Sequence, residues 1–387
     1  MVIPEGILSN RNDAPLRKLI LRECIVKAVI RLPQGAFKMS EGAACTSILY
    51  AVKKDHDTPK LSDQGDIFFA RAEFIGISPS GRPIPQNDLL TIRENLRRFE
   101  AGEWDGIEME PSRTDRMIFH RTEPSADDRL WLEPTVNRTS LLYDRLSYVV
   151  RKPVIGDRFS YTFNHPVYYR TMDVLDRMNV PIVTLLSLCA EPYPARGKKP
   201  SEESAEGIPI LKVRNVTGHG IDMETEYAPD NETSKAECAR AMVERGDILL
   251  TSTGEGTIGR VDIYPYDEPA IGDGHVAICR LNPGVNLHYV VEFLRSEHGQ
   301  IQMLRCISGS TGQTELLIDS LKELRIPMPG PSIQQEIVRG MDDARQMGNE
   351  LMGQADTLRG ESADMLARAR QDMVKRLTKD SDPGEVN

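Results

Sequence analysis

Apolar and polar positions change their period several times along this chain. Near the N-terminus, "VIPEGIL" and "VKAVIRLP" read as buried strands, and "APLRKLILREC" between them has helical spacing with Pro15 near its start. "CTSILYAVKK" is a further strand, apolar in the middle and basic at its exit. This rhythm predicts part of an α/β sheet, and residues 1–54 are too few for a domain alone. Further on, "DIFFARAEFIGI" is strand-like, "SPSGRPIPQNDL" is a turn-rich loop, and "DLLTIRENLRRFEAG" is helical. The polar stretch from Glu103 to Asn137 predicts no clear element.

A second unit starts near Tyr161 with "FNHPVYYRTMDVLDRM" and "VPIVTLLSLC", followed by a polar loop "EPYPARGKKPSEESAEG". Short β-type runs come next, "IPILKVRNV", "GDILLTST", "TIGRVDIY" and "GHVAICRL", punctuated by Gly and Pro as in a twisted, mainly antiparallel sheet. "NLHYVVEFLRSEHGQIQMLRCI" predicts a pair of helical segments, and "LKELRIPMPGP" a closing strand. From Ser332 to Asp382 there is no proline, and apolar residues from Ile333 to Leu377 recur at steps of mainly three and four. That predicts one amphipathic helix of about 45 residues, roughly 65–70 Å long. Its seam is weakened by Gly340, Gly348, Gly353 and Gly360, each costing up to about 1 kcal/mol relative to Ala. Such a helix must pack on something. "TKDSDPGEVN" reads as a disordered tail.

The 387 residues allow two or three domains, and 40% hydrophobic with 27% charged is ordinary globular composition. No apolar run reaches the ~18–20 residues of a membrane span, and the N-terminus lacks a signal-peptide layout. A cytoplasmic protein is expected. The six cysteines are scattered without a C-x-x-C pair and the seven histidines without a ligand motif. Reduced core thiols and no metal are therefore expected.

"GDILLTSTGEGTIGRVDIYPYD" contains Gly254-Glu255-Gly256-Thr257-Ile258-Gly259, a G-x-G-x-x-G pattern after an apolar strand. A dinucleotide site requires the third glycine to open a helix. Here Val261 and Ile263 alternate with Arg260 and Asp262, and Pro265 stops any helix. The segment predicts a Gly-rich turn or bulge between two antiparallel strands, not a cofactor loop.

Two regions resemble known families. "VIPEGILSN", "LRECIVKAVIRLPQGAFK", "TSILYAVKK" and "DIFFARAEFIGISPSGRPIPQNDL", within residues 1–90, resemble the C-terminal part of N6-adenine DNA methyltransferases of type I restriction–modification systems. "IPILKVRNVTGHGID", "ERGDILLTSTGEGTIGRVDIY", "GSTGQTELLIDSLKELRIPMPGPSIQQEIV" and the long helix, from about 160 to 378, resemble a target-recognition domain and helix of the specificity subunit of those systems. The resemblance implies an α+β chain. It would have a partial methyltransferase-type α/β sheet (1–90), a connecting region (91–159), a mainly antiparallel recognition domain (160–330), a spacer helix (331–378) and a tail (379–387). It also implies a cytoplasmic bacterial or archaeal protein whose partners are double-stranded DNA, a DNA methyltransferase subunit, a restriction subunit and a second copy through the helix. The family's Asn-Pro-Pro-aromatic tetrapeptide is absent, since the sequence contains no Pro-Pro pair, and so is the Gly-rich loop for S-adenosylmethionine. Those groups hold the flipped adenine and its methyl donor. No catalytic residue is therefore assigned, and S-adenosylmethionine is expected in a partner or a missing catalytic lobe. A one-chain methyltransferase–specificity fusion, of which this is the C-terminal piece, and a non-DNA-binding scaffold are the alternatives.

Candidate DNA contacts are Arg196, Lys198 and Lys199 in a loop, suited to phosphate but followed at once by Glu202, Glu203 and Glu206. Lys212, Arg214 and Asn215 lie at a strand end, where Arg suits guanine and Asn adenine, or where they are simply edge charges. Ser310, Thr311 and Gln313 are short polar groups in a turn, for DNA or for capping a helical turn at Thr314–Leu317. Arg260 leaves either role open. Against DNA stands the charge: −10 for the chain, with 15 Lys and Arg against 24 Asp and Glu in residues 171–330.

Overall fold

The computed structural model describes residues 1–33, 35–37, 45–54, 64–78, 80–103, 147–150, 158–254, 256–308 and 315–379. Most of the expected connecting region 91–159, the tail from 380, and Ser310, Thr311 and Gln313 lie outside the described residues. The described chain mixes α and β with several small sheets and a long C-terminal helix. It falls into two compact units, Met1–Pro329 and a second beginning at Gly330.

In the first unit, β1 (Val2–Pro4), β2 (Cys24–Arg31), β3 (Thr46–Lys53), β4 (Ile67–Arg71) and β7 (Ser147–Val150) form a five-stranded sheet in the order β1-β3-β2-β4-β7. Only the β2–β4 pair is parallel. The middle strands carry long apolar runs because both faces are covered over their central residues. Leu8, Val26, Val29, Ile67 and Phe69 pack with Phe159 and Tyr161 on one side. Ala28, Ile30, Phe68 and Ala70 pack on Ile92 of the helix Leu89–Glu100 on the other. Two local expectations differ. "VIPEGIL" is a strand only as far as Pro4, which has no N–H for the ladder; its φ of −59° leads into a helical turn, Glu5–Ser9. The expected loop 78–89 contains β6 (Pro83–Asn87), which pairs with β5 (Ile75–Ile77) around Gly81 at φ 79°. Prolines are tolerated there because the ribbon has only two strands and each is an edge.

A strap joins this sheet to the β-rich half of the unit. Phe159 N donates to Leu8 O (3.2 Å), and Arg31 Nη1 donates to Thr162 Oγ1 (3.1 Å). The helix Pro166–Arg177 then starts with the His165 side chain accepting from Val167 N. Arg305 clamps the strap from the other side, its guanidinium 3.6 Å from the Tyr168 ring centroid and 4.1 Å from that of Phe163.

Beyond the strap come β8 (Ile182–Thr184), β9 (Ala195–Arg196), β10 (Ile208–Leu211), β11 (Tyr227–Ala228), β12 (Met242–Val243), β13 (Ile248–Thr251), β14 (Val261–Ile263), β15 (Ala270–Gly272) and β16 (Val276–Cys279). All of them except β8 build two four-stranded sheets, β11-β10-β15-β12 and β14-β13-β16-β9. Every pairing is antiparallel except β10–β15. The predicted helix pair is Leu287–Arg295 and Glu297–Cys306. β17 (Ile307–Ser308) pairs with β18 (Glu315–Leu316), and the closing strand β19 (Arg325–Pro327) pairs with β8. Glu315 and Leu316 are thus extended, and the helical turn expected at Thr314–Leu317 begins instead at Ile318. Cys45, Cys189, Cys238, Cys279 and Cys306 are buried free thiols and Cys24 is partly buried. Burial pushes the Cys306 thiol up to about 12, away from the reactive thiolate.

The second unit is the helix Pro331–Lys379, 49 residues and about 73 Å long. Ile337, Met341, Leu351, Leu358 and Met365 are exposed on it. Arg345–Asp342 (2.9 Å) and Arg359–Asp356 (3.3 Å) are ion pairs along its surface.

Inside the first unit Asp262–Arg295 is a buried ion pair. Asp262 is fully buried, accepts from Arg295 Nη2 (2.7 Å) and takes Gly218 N–H on its other oxygen (2.6 Å). Arg295 Nε also donates to Val261 O (3.0 Å), and Nη1 reaches Glu292 (3.1 Å). Burial pushes the Asp262 carboxyl up from the usual carboxylate range, opposed by the Gly218 N–H and by Arg295. Replacing Asp262 strands a half-buried guanidinium and a backbone N–H. Asp262→Ala is expected to cost about 3 kcal/mol, read from urea unfolding of the full chain. Asp356→Ala, which breaks an exposed helix pair, is expected to cost under about 0.5 kcal/mol in the same measurement.

Candidate nucleic-acid interface

The glycine pattern is a strand–turn–strand. β13 and β14 pair antiparallel, Ile248 opposite Ile263 and Leu250 opposite Val261, and the chain reverses between them. Gly254, Gly256 and Gly259 have φ of 98°, 79° and 76°, conformations that other residues rarely adopt. At Gly254 a Cβ would also sit 2.3 Å from Thr257 Oγ1. The turn is tied down by Thr251. Its hydroxyl donates to Thr257 O (2.5 Å) and accepts from Arg260 N (2.9 Å), and its carbonyl accepts from Gly259 N (2.6 Å).

Other loops gather around this turn. Ser252 N donates to His275 O, and Leu316 N donates to Ser252 O, both at 2.8 Å. Thr253 bridges to Glu315 at the base of the β17–β18 hairpin. Arg196 Nε donates to Gly274 O (2.8 Å) and its Nη1 pairs with Glu315. Gly197 passes so near the backbone of Gly272 and Asp273 that no side chain fits there. On the other flank, a Cβ on Gly254 would be 3.8 Å from Val213 Cγ1, which sets the 212–215 turn beside the glycine loop. The exit of β9, the 212–215 turn, the glycine turn, the 273–275 turn and the stems of the β17–β18 hairpin therefore share one end of the sheets.

Each predicted contact has a definite setting. Lys212 (2.6 Å) and Arg214 (3.1 Å) share Glu226. Hydrogen bonding from Lys212, with the Lys212 and Arg214 charges, holds the Glu226 carboxyl below its usual range. The pairing is therefore intact at neutral pH and is lost only as pH falls through that lowered value. Lys198 pairs with Glu237 (3.3 Å) and Lys199 with Glu203 (3.1 Å), away from the turn. Asn215 is fully buried: its amide donates to Asp222 O (2.8 Å) and Glu224 O (3.1 Å), and its oxygen accepts from Lys212 N (2.8 Å). Its side chain, expected as an adenine contact, braces its own turn. Arg260 is half-buried and its Nε has no acceptor. Ser310, Thr311 and Gln313 lie outside the described residues, but both stems of their hairpin are in the cluster.

Sequence reasoning missed the carboxylates that hold these cations, Glu226, Glu237 and Glu315, and the braces Thr251 and Asp262. The excess of acidic residues in 171–330 was the available signal. Among the described residues no cluster of three or more His, Cys, Asp or Glu is placed to hold a metal, and no described helix is long and apolar enough to cross a membrane. Chemically, the arrangement offers guanidinium and ammonium groups and backbone N–H on converging loops, the equipment for phosphate and base edges.

Comparisons with known proteins are consistent with that equipment. Residues 197–356 match the type I restriction modification DNA specificity domain, and residues 1–102 match N-6 DNA Methylase. No curated protein matches the chain. Among solved structures, the type I restriction-modification S subunit from M. genitalium is 18% identical over 44% of this chain and 40% of its own, with a TM-score of 0.32. The HsdS subunit from Thermoanaerobacter tengcongensis is 14% identical over 70% of this chain and 54% of its own, with a TM-score of 0.34. The type IIG restriction endonuclease BpuSI is 9% identical over 88% and 41%, with a TM-score of 0.36. The chain thus spans about half or less of each of these proteins, and TM-scores this low carry no argument about it. On the family matches, the chain joins a segment of the N-6 DNA methylase family to a type I restriction–modification DNA specificity domain.

Proposed function

We propose that this chain is the sequence-reading component of an adenine-N6 DNA methyltransferase in a restriction–modification or related phage-defence system. The observation that carries it is a coincidence of place: the residues matched as a DNA specificity domain are those whose loops converge on the glycine turn. Arg196, Lys212, Arg214 and Arg260 border that surface and double-stranded DNA is its partner. Lys198 and Lys199 serve the phosphate backbone at its margin. The long helix is a spacer and docking surface, for a methyltransferase subunit, a restriction subunit or a second copy of this chain.

The five-stranded sheet is the C-terminal portion of a methyltransferase lobe in this proposal. The sequence contains no Asn-Pro-Pro-aromatic tetrapeptide and no Gly-rich loop for S-adenosylmethionine. The present residues do not fit that cofactor, so no step of methyl transfer is assigned to them. The adenine-binding residues and the methyl donor belong to a partner subunit or to a lobe outside this sequence. The acidic charge fits a reader whose general affinity for DNA is low by itself and whose phosphate contacts are supplemented by a partner.

Copurification with a DNA methyltransferase and mapping of N6-methyladenine across the genome test the proposal. Deleting residues 160–378 is expected to abolish methylation at one defined motif; an unchanged map refutes sequence reading by this chain. The carboxylate pairing predicts a second result. Glu226→Gln releases Lys212 and Arg214, and is expected to raise affinity for unrelated duplex DNA at low salt by about two- to fivefold. Fluorescence anisotropy would measure it, with a salt dependence steeper by about 1 for each added phosphate contact.

A further inference from the structure

We propose that Arg260 reads guanine, placing both guanidinium donors on the O6 and N7 of one G·C pair in the major groove. The inference rests on the DNA-reading function proposed above and deepens it.

Three observations single out this residue. First, its pairing state differs from that of every other candidate cation. Arg196, Lys198, Lys199, Lys212 and Arg214 each have a carboxylate partner. Among the described residues Arg260 forms no ion pair, and its Nε is buried without an acceptor. Within the described chain its side chain has no carboxylate to release before it takes a ligand.

Second, its backbone is fixed more closely than a phosphate contact requires. Arg260 N donates to both Thr257 O (3.1 Å) and Thr251 Oγ1 (2.9 Å), and its carbonyl accepts from Thr251 N (3.1 Å). The preceding carbonyl, of Gly259, accepts from the buried Gln300 side chain (3.3 Å). The residue sits where the turn becomes β14, and Ile258, which is buried, anchors the end of the turn two residues earlier. A half-buried side chain with its Nε buried, on a fixed Cα, leaves little freedom except at the outer Nη1 and Nη2 groups.

Third, the chemistry of the fork is selective. A guanidinium presents two parallel donors, and only guanine offers two adjacent acceptors on its major-groove edge. A phosphate accepts any cation, and the paired Lys and Arg residues around the turn can serve that need. An Arg with no ion pair among the described residues, held where the glycine turn enters β14, suits a base edge, because discrimination depends on holding the fork within a narrow geometry.

The test uses the full chain with its methyltransferase partner. The N6-methyladenine motif set by the wild-type chain is mapped, and Arg260→Ala and Arg260→Lys alleles are mapped beside it. The expected result is relaxation at a single G·C position of the half-site this domain reads. Discrimination there should fall about 10- to 100-fold in Arg260→Ala, the other positions staying as in the wild type. Binding to duplexes carrying each single-base change of the motif, followed by anisotropy, should show the same position-specific loss. Arg260→Lys keeps the charge and should lose most of that discrimination while retaining affinity. A half-site without a G·C pair overturns the inference. So does an unchanged motif with methylation lowered evenly at all sites, which marks a phosphate contact. Thermal unfolding separates misfolding from function: a variant with an unchanged midpoint that binds every single-base duplex equally weakly also counts against guanine reading. If no motif depends on this chain at all, the DNA-reading function itself has failed; a chain-dependent motif indifferent to Arg260 removes only this inference.

Discussion

The β-rich half of the first unit depends on one buried ion pair. Arg295, on the helix Leu287–Arg295, reaches Asp262 and the carbonyl of Val261 on β14, and Asp262 in turn holds Gly218 N–H in the neighbouring turn. Helix, sheet and turn thus meet at one carboxylate with no exposed surface. Two charges in the interior stabilise little by themselves, because desolvation offsets most of their attraction. Their value is geometric: either charge without the other is costly, so the elements that carry them cannot separate. A surface of loops can present a fixed pattern of donors only if the strands beneath do not shift, and this pair, with the Thr251 hydroxyl above it, fixes β14 relative to its neighbours. The Asp247–Arg280 pair does the same work at the far end of β13, with Arg280 stacked on Tyr193 at 4.8 Å.

Much of the framework was legible in the sequence, for physical reasons that differ by element. The helix Pro331–Lys379 is governed by local periodicity and the strands β13 and β16 by short continuous apolar runs, both of which a sequence displays locally. The glycine turn could be read because Val261 and Ile263 alternate where a cofactor site needs a helix. The five-stranded order, with β2 parallel to β4, could not be read, since the pairings join residues far apart in the chain. Pro83–Asn87 resembled a loop because proline is a poor strand former. It is a strand because an edge ribbon has no ladder on its outer side for proline to disrupt. At the candidate site the residue types were legible and their orientations were not. Asn215, expected as a base contact, is buried with its amide turned toward carbonyls of its own turn. No local pattern announces which way an Asn side chain turns.

The conflict between acidic charge and a nucleic-acid role resolves at the level of pairs. The candidate cations other than Arg260 are held by carboxylates, mostly at exposed positions where each pair is weak. A phosphate brought to the same place competes for the same donors, so the net energy of each contact is the difference between two similar interactions. Such a surface is poor at binding arbitrary DNA. A contact made by a group with no carboxylate to release meets no such competition, which is how a negatively charged domain can be selective.

The glycines then take a role distinct from chemistry. With positive φ at Gly254, Gly256 and Gly259, the chain reverses within a few residues and re-enters the sheet as β14. The bonds that hold the turn are made by backbone groups and by Thr251 and Thr257, so its shape does not depend on the side chain at 260. A loop whose geometry is set by glycine and threonine can change the residue it presents without changing its path. On the proposed function, that separation of scaffold from presented side chain lets the target change by substitution at one position while the fold beneath stays as it is.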